Sequence, residues 1–206
     1  MTKARFGSWE LISTRDNRQN RRGSLEILDI VDDNGIPTGK TVDRVTAHRE
    51  GIQHRTAHLW IARRRDGQIE LLLQKRCMEK DSFPGCYDIS SAGHIPAGMD
   101  YVPSALRELR EELGVTAQAE DLIPCGLKRV TVKNEFHEHP YVDRQVCNVY
   151  LMWMDRPAEE FVVQREEIES VMWMEYQAVR KAVTENTIPN CIDIEELDMI
   201  ETHFED

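Results

Sequence analysis

Glu108, Glu111 and Glu112 are three carboxylates set within one short stretch, Arg107-Glu-Leu-Arg-Glu-Glu-Leu113, that reads as helix. Residues three and four apart stack on a helix surface, so these side chains share one arc. Carboxylates that close repel one another unless a cation sits among them. Hard divalent ions such as Mg²⁺ (or Mn²⁺) take oxygen ligands and bind through a few carboxylates together with substrate phosphates. The alternative is a solvated amphipathic helix whose acids are neutralised by Arg107 or Arg110.

The neighbouring residues define how such a helix would be held. Asp100 can cap it, Pro103 falls in the first turn where a missing N–H is harmless, and Gly114 can end it in the left-handed conformation. Ala105, Leu106, Leu109 and Leu113 recur at helical spacing and require a core. Upstream, Gly93 opens a loop that feeds the helix.

Gly93, Arg107, Glu108, Leu109, Glu111, Glu112, Gly114 and Val115 match in register a Gly, five residues, Glu, seven residues, Arg-Glu-apolar-x-Glu-Glu-x-Gly-apolar pattern. The stretch thus resembles the Nudix box. The resemblance implies an α/β fold, an α/β/α sandwich with a mixed central sheet, and hydrolysis of a diphosphate linkage in a small molecule. It makes Glu108, Glu111 and Glu112 the metal ligands, joined by the backbone carbonyl of Ala92 or Gly93. Arg107 would orient these carboxylates. Glu112 or Glu111 would activate water, or else an acid from a later loop: Glu135, Glu138, Asp143 or Glu166. Arg76 and Lys80 are the expected phosphate contacts, with a solvated surface cation as the other reading of Lys80. One position departs from the pattern, since Met99 stands where the first Glu belongs. Met99 is expected to pack under the loop, leaving Arg107 to pair with Asp100 or Asp88.

A second resemblance is to the Nudix branch that contains isopentenyl-diphosphate isomerase. It rests on Leu25 to Asp29, His48 to His54, Phe83-Pro84-Gly85 and Ala92-Gly93-His94. It places His48, His54 and His94 near metal-binding histidines and so at the substrate site. The two positions that move protons in the isomerase differ here: Ala92 replaces a Cys, and Gln145 replaces an acid. An amide can serve neither as general acid nor as base. Hydrolysis is therefore the expected reaction, with isomerisation as one alternative. A non-catalytic binding module is the other if Met99 marks lost activity, although the three retained glutamates argue against it. Apart from the resemblance, His48 and His54 could simply hydrogen-bond the loop carrying Pro84 and Gly85. His58, in an apolar strand, reads as a satisfied core residue. Phe136, Tyr141 and Trp153 could stack on a base or fill the core.

The 206-residue chain carries a net charge of −11, which argues against a nucleic-acid partner. Its five cysteines form no C-x-x-C pair, and no stretch reads as a signal peptide or membrane span. A cytoplasmic protein without membrane contact is expected, and a homodimer is left open. Residues 1–23, with Arg5, Arg15, Arg18, Arg21 and Arg22, read as a polar arm before one domain over 24–206. Strands are expected at Leu25–Val31, Arg55–Arg63, Ile69–Lys75, Tyr87–Ala92, Leu122–Val132, Gln145–Trp153 and Val171–Tyr176. Asp66-Gly67 turns a hairpin, Asn134–Val142 is a polar loop, and helices follow at Gln177–Thr184 and Ile192–Phe204.

Overall fold

The computed structural model describes residues 26–80, 82–136 and 139–205, with only the backbone for 139 and 140. The Arg-rich arm, Leu25 and Glu138 lie outside them. The strands are β1 (Ile27–Val31), β2 (Pro37–Asp43), β3 (His54–Arg65), β4 (Gln68–Arg76), β5 (Tyr87–Asp88), β6 (Ser91–His94), β7 (Ile123–Phe136), β8 (His139–Trp153) and β9 (Ile168–Glu175). The helices are α1 (Arg44–Glu50), α2 (Tyr101–Leu113), α3 (Tyr176–Thr184) and α4 (Ile194–Glu201).

The main sheet runs β5-β4-β3-β8-β7, with β6 added to β3 and β9 to β4. It is mixed, because β3 runs parallel to β8, from His54 opposite Gln145 to Ala62 opposite Trp153, while its other pairings are antiparallel. β1 and β2 form a separate ribbon.

Alternation along β3 divides the core between two layers. Ala57, Leu59 and Ile61 pack with Ala105, Leu109 and Leu113 of α2. Trp60 and Ala62 point the other way, to Val179 of α3 and Leu197 and Ile200 of α4. This is the α/β/α sandwich with a mixed central sheet.

The expected caps of α2 are present. The Asp100 side chain accepts from the Tyr101 N–H at 2.7 Å, and Gly114, at φ 66°, closes the helix. Between β2 and β3, α1 is capped by Asp43 and ended by Gly51. Asn134–Val142 is a correction. β7 continues to Phe136 and β8 starts at His139, so this stretch is largely the end of a long antiparallel ribbon, with Asn134 opposite Tyr141. Much of β7 is exposed, so its polar residues follow the requirements of a solvated ribbon and hide the alternation that marks a strand.

Candidate active site

Packing α2 onto the sheet turns Glu112 inward, where it is buried. Its Oε2 accepts from Ser91 Oγ at 2.6 Å and from the Ala92 N–H at 3.4 Å. Burial pushes its carboxyl up to about 8, against the opposing Ser91 hydrogen bond and with Glu108 adding to the rise. Glu108 is raised to about 6, chiefly by burial, although the Arg107 guanidinium, 2.5 Å from its Oε1, pulls the other way. Glu111 is the exposed member. Glu112 stays protonated at neutral pH and Glu108 ionises later than an ordinary glutamate, so the fully charged form of the cluster needs a cation.

Gly93 explains how Glu108 lies so close to the sheet. A Cβ on Gly93 would overlap Cγ, Cδ and Oε1 of Glu108. The glycine is thus a cradle for that carboxylate, and it brings the strand backbone up against it. All-oxygen donors of this kind fit Mg²⁺ or Mn²⁺.

Lys80 contacts Glu167 directly, and both lie near enough to Glu112 to influence its ionisation in opposite senses. Of the two adjacent acids after β8, the expected candidate Glu166 and its neighbour Glu167 face different ways. Glu166 is exposed, while its neighbour turns toward Lys80. Arg76 is already engaged, with Asp88 Oδ2 at 2.9 Å and the Ser82 carbonyl at 2.9 Å. Burial opposes the charge on Arg76, but Asp88 outweighs it and holds the guanidinium above its ordinary range.

The pairing expected for Arg107 needs correcting. Asp100 is used as the helix cap and Asp88 pairs with Arg76, so Arg107 turns to Glu108 instead. Its Nε is buried without a hydrogen-bond partner. Met99 does not pack beneath the loop: it is 44% exposed. What holds the loop is backbone. Arg55 donates to the Met99 carbonyl at 2.7 Å and to Asp29 Oδ2 at 3.0 Å, and Asp29 Oδ2 also accepts from the Gly98 N–H.

A second cluster lies on the opposite side of β6. His48, His54 and His94 bring ring nitrogens within 4.8 Å of one another. His48 Nε2 and His94 Nε2 are 3.2 Å apart, and Asp143 Oδ1 lies 3.3 Å from His54 Nε2 and 3.7 Å from His48 Nε2. Burial lowers His48 to about 4 and takes His94 well below its usual value, so both rings are neutral at pH 7. Burial works against ionisation of Asp143, but His54, His48 and Tyr141 outweigh it and keep the carboxyl low. Its Oδ2 accepts from Gln145 Nε2 at 2.6 Å and from Tyr141 OH at 3.0 Å. His54 Nε2 and Asp143 Oδ1 are buried without a hydrogen-bond partner. Neutral imidazoles, one carboxylate and two unsatisfied atoms facing each other fit a borderline divalent metal.

Two of the other acids expected as bases are thereby placed: Asp143 belongs to the histidine cluster, and Glu135 is exposed on β7. Phe136 touches Phe83 and Tyr141, with ring centroids 5.1 and 5.2 Å apart, and Tyr141 touches His48 at 4.9 Å. This row of half-buried rings runs from the histidines toward the tip of the β7–β8 ribbon. Trp153 packs on Phe204.

Residues 53–191 match the NUDIX domain. The chain is 35% identical over 150 residues to an uncharacterised Nudix hydrolase of Clostridium acetobutylicum, covering 73% of this chain and 70% of the relative. It is 28% identical over 149 residues to an isopentenyl-diphosphate Delta-isomerase of Ruegeria pomeroyi, covering 71% and 73%. A crystal structure from Deinococcus radiodurans has the same fold, with a TM-score of 0.63 at 17% identity over 84% of this chain and 98% of that one. Among the described residues, no helix is long and apolar enough to cross a membrane.

Proposed function

This chain belongs to the Nudix family, and on that premise we propose that it is a divalent-metal-dependent pyrophosphohydrolase acting on a small-molecule diphosphate. The observation that carries this reading is a pair of acids on α2, buried Glu112 raised to about 8 and half-buried Glu108 raised to about 6, beside a glycine that admits Glu108 to the strand backbone.

Glu108, Glu111 and Glu112, with the carbonyl of Ala92 or Gly93, would hold Mg²⁺ or Mn²⁺. Such an ion, when bound, offsets phosphate charge and makes water a better nucleophile. Ser91 keeps the Glu112 carboxylate oriented through its 2.6 Å hydrogen bond. Arg107 clamps Glu108. Lys80 is the phosphate contact, and Arg76 acts behind it by fixing the Ser82 segment. Glu167, released by Lys80 when phosphate arrives, is the acid best placed to take the proton from water. Glu112 is its competitor for that role.

The histidine cluster supports a second reading, an isomerase of the isopentenyl-diphosphate type. Two residues argue against it. Ala92 has no group that can move a proton, and Gln145 spends its amide on Asp143 and Thr56. The cluster is compatible with hydrolysis as a second metal position.

A panel of nucleotide sugars, dinucleoside polyphosphates, nucleotides and isoprenoid diphosphates, incubated with Mg²⁺ or Mn²⁺, tests the proposal. Phosphate or pyrophosphate release that disappears in Glu112→Gln is expected. Conversion of isopentenyl to dimethylallyl diphosphate, lost in His94→Ala, would replace it with the second reading.

A further inference from the structure

His58 on β3, Cys147 on β8 and Glu196 on α4 bring an imidazole nitrogen, a sulfur and a carboxylate oxygen within 4.8 Å of one another. None of the three has a part in the chemistry above. We propose that they form a Zn²⁺ site with three protein ligands that fastens the C-terminal helix to the sheet.

The donor set is the first argument. Nitrogen, thiolate sulfur and carboxylate oxygen are the ligands Zn²⁺ takes, and three protein ligands with one further position make a tetrahedral site. The framework is the second. Two ligands come from adjacent parallel strands and the third from a helix packed on them, so all three are carried by regular elements. Glu196 is also oriented: Trp60 Nε1 donates to its Oε2 at 3.0 Å, which leaves Oε1 facing His58 Nδ1 at 2.8 Å. A hydrogen bond to the far oxygen of a ligating carboxylate is the usual support for such a site.

The cluster is open on one side, and the cation beside it has other partners. Cys147 and Glu196 are buried, whereas the His58 side chain is 17% exposed and gives the cluster one open edge. Lys128 is the cation already present, 3.3 Å from Glu196 Oε1. It also holds Asp193 at 2.6 Å and Glu195 at 4.0 Å, so it stays paired if an ion takes Oε1. Loading releases two protons to solvent, the Cys147 thiol proton and the Nδ1 proton that His58 donates to Glu196 Oε1 at 2.8 Å. The neutral imidazole then presents its Nδ1 lone pair, with its N–H at Nε2, and the 2.8 Å contact widens around an ion about 2.0–2.3 Å from each ligand.

Co²⁺ separates this site from the two others, because thiolate-to-Co²⁺ charge-transfer absorption requires a sulfur ligand and neither the glutamates nor the three histidines include one. Reduced, chelator-stripped full-length protein titrated with Co²⁺ should develop that band to a saturating intensity. The band should vanish in Cys147→Ser and persist in Glu112→Gln and His48→Ala. Its absence in the wild type, or its survival in Cys147→Ser, overturns the proposal. Should Cys147→Ser fail to fold, His58→Ala decides: loss of one ligand should weaken Co²⁺ binding and shift the band, and an unchanged band at unchanged affinity refutes the site.

Discussion

Gly93 and Glu108 share one space: the glutamate side chain occupies the volume in which any other residue at 93 would place its Cβ. Gly93→Ala must therefore displace Glu108 from the strand, and overpacking of this kind costs about 1–3 kcal/mol. Activity should fall at least as far as it does in Glu108→Ala. The double variant Gly93→Ala/Glu108→Ala should be more stable than Gly93→Ala alone, since the clash is gone. Thermal midpoints of the three variants give the coupling, and simple additivity would contradict the geometry.

Glu112→Gln should lower kcat by roughly 10²- to 10⁴-fold if Glu112 is the base, and by a similar order through lost metal binding. Its effect on metal-free stability should be small at pH 7, because the native carboxyl is already held neutral by burial. Wild-type kcat in this variant would mean that α2 is not the catalytic element.

The same group sets a pH dependence. Glu112 has an ordinary value of 4.5 and sits near 8 when folded. Between those values the folded state keeps a proton that the unfolded state releases, so raising the pH favours unfolding. The stabilisation is full below pH 4.5 and is lost as pH passes through about 8. Metal-free protein should melt progressively lower across that window, and Glu112→Gln should flatten the slope. Since a metal competes with that proton, Mg²⁺ or Mn²⁺ should raise the midpoint more at pH 8.5 than at pH 6. Equal shifts at both would place the ion elsewhere.

Met99→Ala should be nearly neutral, within about 0.5 kcal/mol, as expected of an exposed side chain. Met99→Glu supplies an acid on the loop beside the helix that carries Arg107, whose Nε lacks a partner. It should add about 0–1 kcal/mol and keep or raise kcat/KM. A wild type inert on every substrate yet active as Met99→Glu would favour the binding-module reading.

Asp29→Ala should be far more costly, about 3–5 kcal/mol, because it strands the Arg55 guanidinium in a buried position. Arg55 also holds the Met99 carbonyl, so the loop before α2 should loosen in Arg55→Ala, which hydrogen exchange at Gly98 and Met99 would report.

The sequence announced α2 well, because caps, an apolar stripe and a spaced acid pattern all point to one element. It announced the β7–β8 ribbon poorly, because Asn134 to Val142 is polar on a largely exposed strand pair and carries no apolar alternation. That Glu167 rather than Glu166 turns toward Lys80 is illegible in the sequence, because a turn residue has no period to betray which way it faces. His48, His54 and His94 could be grouped only by resemblance, since an α1 residue and residues of two strands meet through tertiary packing. Asp143 joins them from β8, and its orphaned oxygen is visible only in three dimensions.

The parallel pairing of β3 with β8 gives the two clusters different histories during folding. The glutamates, Gly93 and Ser91 come from β6 and α2, which follow β3, β4 and β5 in order along the chain. His54 meets Asp143 only after residue 54 is brought beside residue 145, across everything between. Closing so long a loop is slow and entropically costly, so non-local parallel pairs tend to form late. In pulse-labelled refolding, amides of β6 and α2 should gain protection before those of β8. A chain that has emerged only as far as Leu113 would then carry Glu108, Glu111 and Glu112 and no completed histidine centre.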